Sequence, residues 1–259
     1  KVFDAHGTHV SGIIAAVRNN DFGIKGQAVN VKIMSVRAVP NGDERDKDVG
    51  NAIRFAVDHG AKVINMSFGK DYSPGKAYVD SAVKYAESKN VLLVHAAGND
   101  GKNTDAQDNN FPNRKIVNDK GLAAEATNWI EVGASDKNRD ETLPATFSNY
   151  GKTAVDVFAP GVGIVSTIPD NKYATYQGTS MASPEVAGVA ALLMSKFPQA
   201  KVSEIKDAIL STSNKYDGLT VKQPGTAAPV AFDSLSVTGG TVNAYKAVLK
   251  LMANVGAPL

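Results

Sequence analysis

Short apolar runs alternate with amphipathic helical patterns along most of the chain, and this alternation is the feature that most constrains its fold. Residues 61–68 (AKVINMSF) and 91–97 (VLLVHAA) are apolar at nearly every position, as in parallel strands that are covered on both faces. Helical spacing between them is shown by Val79, Ala82, Val83 and Ala86. The sequence therefore predicts an α/β fold of three layers, with a mostly parallel β-sheet flanked by helices.

Other segments extend this pattern. Residues 31–39 (VKIMSVRAV), rich in branched side chains, and 130–135 (IEVGAS) are predicted strands. The strongest helical pattern covers residues 186–197, and Ser203 is a predicted N-cap of the helix that follows. Residues 100–121 are dense in Asn, Asp, Lys and Gly and are predicted to form a solvated loop.

The composition excludes several classes of function. Lys and Arg total 28 and Asp and Glu total 26, so the net charge of +2 is too small to indicate a nucleic acid or an anionic membrane as partner. The absence of cysteine excludes a disulfide scaffold, a thiolate zinc site and a cysteine nucleophile. The longest apolar stretch, Val189 to Met194, is far shorter than the ~18 residues that span a bilayer, so no membrane span is expected.

The length of the chain favours a single domain over residues 1–259.

Three short motifs lie where predicted strands and helices meet. They are HGTHV at residues 6–10, AAGND at 96–100 and GTSMASP at 178–184. In open α/β sheets, ligand sites form beyond the carboxyl ends of the strands, so the three motifs are expected to converge in one crevice.

Together the motifs supply the groups that acyl transfer requires. Ser180 is placed at a helix N-terminus, where free backbone N–H groups favour the negative charge of an oxyanion. A histidine is the natural base for a serine hydroxyl, and the amide of Asn99 is a second oxyanion donor. Pro184 is expected to cost little, because the first turn of a helix lacks most of its internal hydrogen bonds. Singly, each residue also fits an ordinary role as a cap, a surface group or a turn residue.

The stretches HGTHVSGIIAA, INMSFG, AAGND and GTSMASPEVAGVAALL resemble signature segments of the subtilases, the subtilisin-like serine peptidases. They stand in family order and at family-like spacing, and FSNYG and APGV extend the resemblance towards Tyr245. The resemblance implies a subtilisin-like fold and an endopeptidase that acts on polypeptide substrates. It also implies an N-terminal propeptide in a precursor and a secreted or cell-surface location.

Carried over by position, the resemblance makes Ser180 the nucleophile and His6 the general base. Asn99 and the backbone N–H of Ser180 then form the oxyanion hole. No cofactor is implied for catalysis. The loop from Arg18 to Ile24 resembles one that holds a structural calcium in some subtilases, so a calcium ion there is an open expectation.

The resemblance also outlines a substrate-binding cleft. It places Ser67, Phe68 and Gly69 on the strand edge that pairs with the substrate backbone. These residues are expected to form one wall of the primary specificity pocket, and Ala97, Gly98 and Asn99 the opposite wall. The loop near Asn110 is expected to close the pocket, with Asn110 near its base. Asp100 is expected at the rim, where it adds a modest preference for basic side chains in a pocket that admits large residues.

Two positions depart from the family pattern. Glu185 follows Ser-Pro where many relatives carry histidine, which affects packing behind the helix. The catalytic aspartate of subtilases precedes the histidine by a few tens of residues, whereas five residues precede His6 here, and Asp4 is not assigned to the role. The expectation is a peptidase domain that is N-terminally incomplete and impaired as it stands. The alternative is a catalytically inactive subtilase-like domain used for binding or scaffolding.

Chain order excludes the other common serine-hydrolase folds. All four histidines precede Ser180, whereas an α/β-hydrolase places its histidine after the serine. A chymotrypsin-like order is formally allowed, but that architecture consists of β-barrels and conflicts with the helical patterns at His6 and Ser180. His9 and His95 are predicted to be structural, and His59 to lie at a helix C-terminus.

Overall fold

A six-stranded sheet forms the centre of the fold in a computed structural model, which describes residues 5–40, 42–107, 109–118 and 120–254. Asp4 lies outside the described residues. The helices are α1 (Ala5–Ala15), α2 (Asp46–Asp58), α3 (Lys76–Ser88), α4 (Thr179–Lys196), α5 (Val202–Ser211) and α6 (Ala244–Asn254), with a 3-10 turn at Phe232–Leu235. The strands are β1 (Val63–Met66), β2 (Leu92–Ala96), β3 (Lys115–Val117), β4 (Ala123–Glu125), β5 (Trp129–Ser135), β6 (Val157–Pro160), β7 (Ile164–Ile168), β8 (Lys172–Tyr176), β9 (Asn214–Lys215), β10 (Thr220–Lys222), β11 (Pro229–Ala231) and β12 (Gly240–Thr241).

The central sheet has the strand order β1-β2-β5-β6-β12-β9. Every neighbouring pair is parallel except β12 with β9. The remaining strands form three antiparallel hairpins, β3–β4, β7–β8 and β10–β11. The predicted α/β class with a mostly parallel sheet is therefore confirmed.

Both faces of the sheet are covered, as the continuous apolar runs predict. In β2, Leu92 and Val94 pack in a core with side chains of α4, α5 and α6. Leu93, between them, packs in a second core with side chains of α2 and α3. Successive strand residues point to opposite faces, so this alternation places helices on both sides of the sheet. The result is the expected three-layer arrangement, with the carboxyl ends of β1 and β2 side by side at one edge.

The strand predicted at residues 31–39 is wrong. The segment is irregular, and Ile33 and Met34 are 44% and 41% exposed. Branched side chains favour a strand only where neighbouring strands cover them, and no described strand pairs with this segment.

The N-cap predicted at Ser203 is also wrong, because α5 begins at Val202 and Lys201 precedes it. The carboxylate of Glu204 accepts a hydrogen bond from the backbone N–H of Lys201 at 2.8 Å, which fixes the earlier start. The predicted loop at residues 100–121 is largely irregular, but it contains β3.

Glu185 is a half-buried carboxyl group between α4 and the chain that follows α1. The side-chain amide of Gln27 donates a hydrogen bond to it. Gly188, one turn along, makes room for this contact, since a Cβ there would lie 2.5 Å from the Cβ of Gln27. Removal from water disfavours the charged form and raises the pKa of Glu185 to about 7.

We expect Glu185→Gln to protect the fold at alkaline pH. The folded-state pKa of about 7 exceeds the ordinary value of 4.5, so stability is lost as the pH rises through this interval. The loss should reach on the order of 2–3 kcal/mol above pH 7. Glutamine keeps the size and the hydrogen bond but carries no charge. Urea unfolding at pH 5 and pH 9 should show the variant gaining much more on the wild type at pH 9 than at pH 5, whereas the exposed Glu125→Gln should show no such change.

Candidate active site

A cavity of about 610 Å³ opens at the carboxyl ends of β1 and β2 and the start of α4. Seven of the residues that the sequence singled out line it, namely Phe68, Gly69, Gly98, Asn99, Asp100, Asn110 and Ser180. Ser67 and Ala97 are buried directly behind this wall. His6, exposed in the first turn of α1, is not among the lining residues. The structure thus brings together two of the three motifs in one cavity.

Asn99 is held by the start of α4. The backbone N–H and the hydroxyl of Thr179 both donate to its Oδ1, at 2.8 and 3.0 Å. The turn before it requires glycine, because Gly98 has a φ of +100°. With its oxygen bonded to Thr179, the amide nitrogen of Asn99 is the group left to serve a molecule in the cavity.

Asn149 supports the same turn from behind, a role that sequence reasoning missed. It is 2% exposed, and its Oδ1 accepts hydrogen bonds from the backbone N–H groups of Asp100 and Lys102 at 3.0 and 2.9 Å. Its Nδ2 donates to the carbonyl of Ala97 at 2.8 Å. The only sequence signal for Asn149 was its position in FSNYG, and that segment alone does not indicate what the asparagine binds.

Ser180 lies in the first turn of α4, after Gly178, whose φ of +147° no other residue adopts readily. Its hydroxyl donates to the carbonyl of Ser67 at 3.1 Å. In return, the hydroxyl of Ser67 donates to the carbonyl of Ser180 at 2.9 Å. This reciprocal pair joins the end of β1 to the start of α4.

The second of these bonds explains how α4 accommodates Pro184. Proline has no N–H, so Pro184 cannot donate to the carbonyl four residues earlier, which is that of Ser180. Ser67 supplies the missing donor. The reason expected from the sequence does not apply, since Pro184 lies beyond the first turn of α4.

The helix that carries His6 packs against α4. Val10 and Ile13 of α1 form a small core with Met181, the residue after Ser180. His9 is fully buried, with Nε2 donating to the carbonyls of Ile164 and Ala174 at 3.2 and 3.1 Å. Burial lowers the pKa of His9, so the ring is favoured in its neutral form and acts as a structural group.

Two lysines beside the cavity, Lys70 and Lys102, form ion pairs with carboxylates. The ammonium of Lys102 lies 3.5 Å from the carboxylate of Asp100 and 3.1 Å from that of Asp71. Lys70 binds Asp46 at 2.7 Å. The attraction of Asp100 for a basic substrate side chain is therefore partly offset by its own neighbour, Lys102.

The subtilase family model matches residues 1–230. The chain belongs to the subtilase family. This subtilase is 46% identical over 214 residues to a thermophilic serine proteinase of Bacillus sp. strain AK1, an alignment that covers 82% of the chain and 48% of that protein. It is 41% identical over 246 residues to thermitase of Thermoactinomyces vulgaris, with 95% of the chain and 75% of thermitase covered. The chain thus spans about half the length of the first of these relatives.

Solved structures agree with the family assignment. A protease from Pseudoalteromonas arctica superposes with a TM-score of 0.73 and 32% identity, covering 94% of this chain and 70% of that one. The prenylagaramide maturation protease superposes with a TM-score of 0.69 and 28% identity, covering 96% and 83%. The fold of this subtilase is therefore subtilisin-like, as the resemblance implied.

Hydrogen bonds within the chain hold the loop from Arg18 to Ile24, where a structural calcium stays a prediction of the resemblance. The guanidinium of Arg18 donates to the carbonyl of Gly26 at 2.6 Å, which holds a cation beside the loop. The Oδ1 of Asn20 accepts from the backbone N–H of Phe22. Across the described part of the chain, no group of three His, Asp or Glu side chains is placed to hold a metal ion.

We expect Ser67→Ala to lower the free energy of unfolding by about 1–3 kcal/mol, because it leaves the carbonyl of Ser180 without a donor. Ser88→Ala, which removes an exposed hydroxyl from α3, is the matched control. In a Pro184→Ala background residue 184 regains an N–H that can reach the same carbonyl, so Ser67→Ala should cost less there. Urea unfolding of the four combinations measures the coupling. Additive costs would contradict the assignment.

Proposed function

We propose that this subtilase is a serine endopeptidase that hydrolyses polypeptides through an acyl-enzyme on Ser180. The observation that carries the proposal is the meeting of Ser180 and Asn99 in one cavity, with the Asn99 oxygen held by Thr179. This leaves one side-chain N–H₂ and the N-terminus of α4 facing the place where a substrate carbonyl would bind. Two donors at that place stabilise the oxyanion of a tetrahedral intermediate.

In the proposed mechanism, Ser180 Oγ attacks the carbonyl while His6 accepts its proton. His6 then gives that proton to the leaving amine, and water repeats the sequence to release the acyl group. The packing of α1 on α4 and the HGTHV motif support His6 as the base. For attack, the Ser180 hydroxyl has to turn from the carbonyl of Ser67 towards His6. Subtilases use an aspartate to orient this histidine, and we assign none of the described aspartates to that role.

Substrate binding is proposed along both walls of the cavity. The segment Ser67 to Gly69 continues from β1 and offers its backbone to an extended peptide. Ala97 to Asp100 forms the opposite wall, and the turn there is fixed by Asn149. We expect cleavage after large residues, with basic side chains accepted and acidic ones disfavoured.

The family resemblance supports the remaining proposals. Residues 1–259 act as one peptidase domain, made with an N-terminal propeptide and secreted or displayed at the cell surface, and catalysis needs no cofactor. Among the described residues, no helix combines the length and apolarity of a membrane span.

A binding or scaffolding domain without activity is the second candidate. It is supported by one feature, namely that no aspartate is assigned to orient His6.

Labelling with a fluorophosphonate probe separates the two candidates. We expect the probe to modify Ser180 in the full-length protein and to block peptide hydrolysis. Ser180→Ala should abolish both labelling and activity, whereas Ser183→Ala, which removes a buried hydroxyl in the same turn of α4, should still be labelled. Labelling at another serine, or unchanged hydrolysis by Ser180→Ala, would exclude the proposed nucleophile.

We expect Asn99→Ala to lower kcat about 10²–10³-fold with little change in KM, the range known for loss of one oxyanion donor in subtilisin. The reason is that the amide bonds the oxyanion more strongly than the ground-state carbonyl. Asn103→Ala, at an exposed asparagine in the same loop, is the control. A change confined to KM would mean that Asn99 only shapes the cavity.

A further inference from the structure

Two elements that meet beside the proposed nucleophile carry polar side chains at matching positions. On α4, Ser180 and Ser183 are three residues apart and therefore lie on the same face of the helix. Asn65 on β1 and Ser67 just after it are two residues apart and lie on the same side of the strand. Asn65 is half-buried, Ser67 is 8% exposed and Ser183 is fully buried. The two elements therefore meet through polar groups that are largely removed from water.

Hydrogen bonds join these side chains in series. The hydroxyl of Ser183 lies 2.7 Å from Asn65 Oδ1, and Asn65 Nδ2 lies 2.9 Å from the hydroxyl oxygen of Ser67. The hydroxyl of Ser67 in turn lies 2.9 Å from the carbonyl oxygen of Ser180. This series, Ser183–Asn65–Ser67–Ser180, is called the polar chain below. It crosses twice between α4 and the edge strand β1.

The direction of every bond in the polar chain follows from its last acceptor. The carbonyl of Ser180 can only accept, so the single proton of the Ser67 hydroxyl is donated to it. The oxygen of Ser67 then has to accept from Asn65, which places the amide nitrogen towards Ser67 and the amide oxygen towards Ser183. That oxygen only accepts, so Ser183 is the donor. The amide of Asn65 thereby reserves the Ser67 proton for the carbonyl.

The carbonyl at the end of the polar chain belongs to the proposed nucleophile itself. Pro184 leaves this carbonyl without a helical donor four residues on, so its orientation depends on Ser67. The hydroxyl of Ser180 is bound to the backbone of the same residue, at 3.1 Å from the carbonyl of Ser67. The position of Ser180 Oγ against a bound substrate therefore depends on contacts that Asn65 holds in place.

We propose that Asn65 is a positioning residue of the active site, which holds the turn that carries Ser180 by directing the Ser67 hydroxyl to the Ser180 carbonyl. This role rests on the proposed peptidase function and falls to a residue that does not line the cavity. Aspartate is nearly isosteric with asparagine but offers no donor when it is ionised. In Asn65→Asp the hydroxyl of Ser67 donates to the new carboxylate, and the carbonyl of Ser180 loses its partner.

The test compares Asn65→Asp with Asn65→Ala in the full-length protein at neutral pH. We expect Asn65→Asp to lower kcat about 10- to 100-fold with little change in KM, because the nucleophile is displaced while the walls that bind the peptide are intact. Asn65→Ala removes more atoms but leaves the Ser67 proton to the carbonyl, so kcat should fall only about 2- to 10-fold, the range of one hydrogen bond. The control is Asn51→Asp, at an exposed asparagine of α2 whose Oδ1 accepts from Tyr78 and which should leave kcat unchanged.

Protonation of the new carboxyl supplies a second readout. The carboxyl of Asn65→Asp regains a donor when it is protonated, so the kcat of the variant relative to the wild type should rise as the pH is lowered. Titration of His6 is common to both proteins and cancels in this ratio. In a Ser67→Ala background no hydroxyl is left to be diverted, so the ratio should not change with pH. The same pH dependence in both backgrounds would mean that the buried charge acts by itself, and the positioning role would be wrong.

A double-mutant cycle with alanine keeps the proposal testable should Asn65→Asp fail to fold. Asn65→Ala should lower kcat in the wild-type background but not in the Ser67→Ala background, because Asn65 acts through Ser67. Equal losses in both backgrounds would contradict the assignment.

Fluorophosphonate labelling counts the reactive Ser180 in each variant, so unfolded protein is not mistaken for a loss of kcat. If the wild type is labelled and cleaves peptides, but Asn65→Asp has the kcat of the wild type, the inference is wrong and the proposed function stands. If the wild type is neither labelled nor active, the proposed function fails, and the inference fails with it.

Discussion

The two hydrogen bonds from Thr179 to Asn99 join the start of α4 to the end of β2, and the arrangement of the cavity depends on them. They bring a helix N-terminus and an asparagine amide to the same place, although 80 residues separate the two in sequence. The parallel sheet makes this contact available because it places the ends of neighbouring strands at one edge. The topology of the sheet therefore determines where the cavity lies, and the hydrogen bonds of the polar side chains fix the orientation of the groups in it.

Elements whose stability is decided locally could be predicted from the sequence. The apolar runs predicted β1 and β2, and the helical spacing of apolar residues predicted α4. The structure has a strand or a helix at each of these places. The segment 31–39 has an equally clear composition but no strand, because a strand also needs a neighbour, which is not a local property. The start of α5 was misplaced by one side-chain interaction, that of Glu204 with the backbone of Lys201.

The same distinction applies to the candidate site. Ser180 and Asn99 stand in compact motifs, so their types and positions were evident before the fold was known. Asn149 contacts the turn at Ala97, and buried His95 on β2 contacts buried Glu131 on β5, with His95 Nδ1 lying 2.9 Å from Glu131 Oε1. These contacts join residues 36 to 52 positions apart, and no spacing rule connects them. The sequence did carry one signal for the pair, namely an ionisable side chain in each of two otherwise apolar strands. Such residues are rarely buried alone, and each is therefore evidence for the other.

The hydroxyl of Ser67 that serves the carbonyl of Ser180 comes from 113 residues earlier in the chain. A helix normally completes its backbone bonding with residues four positions away and needs no distant partner. Here the carbonyl of Ser180 is bonded only after the residue that follows β1 has reached it, which requires closure of a very long loop. The turn that carries Ser180 therefore forms completely only when this long-range contact is made. An α4 formed without this docking would leave the carbonyl of Ser180 without its hydrogen-bond donor.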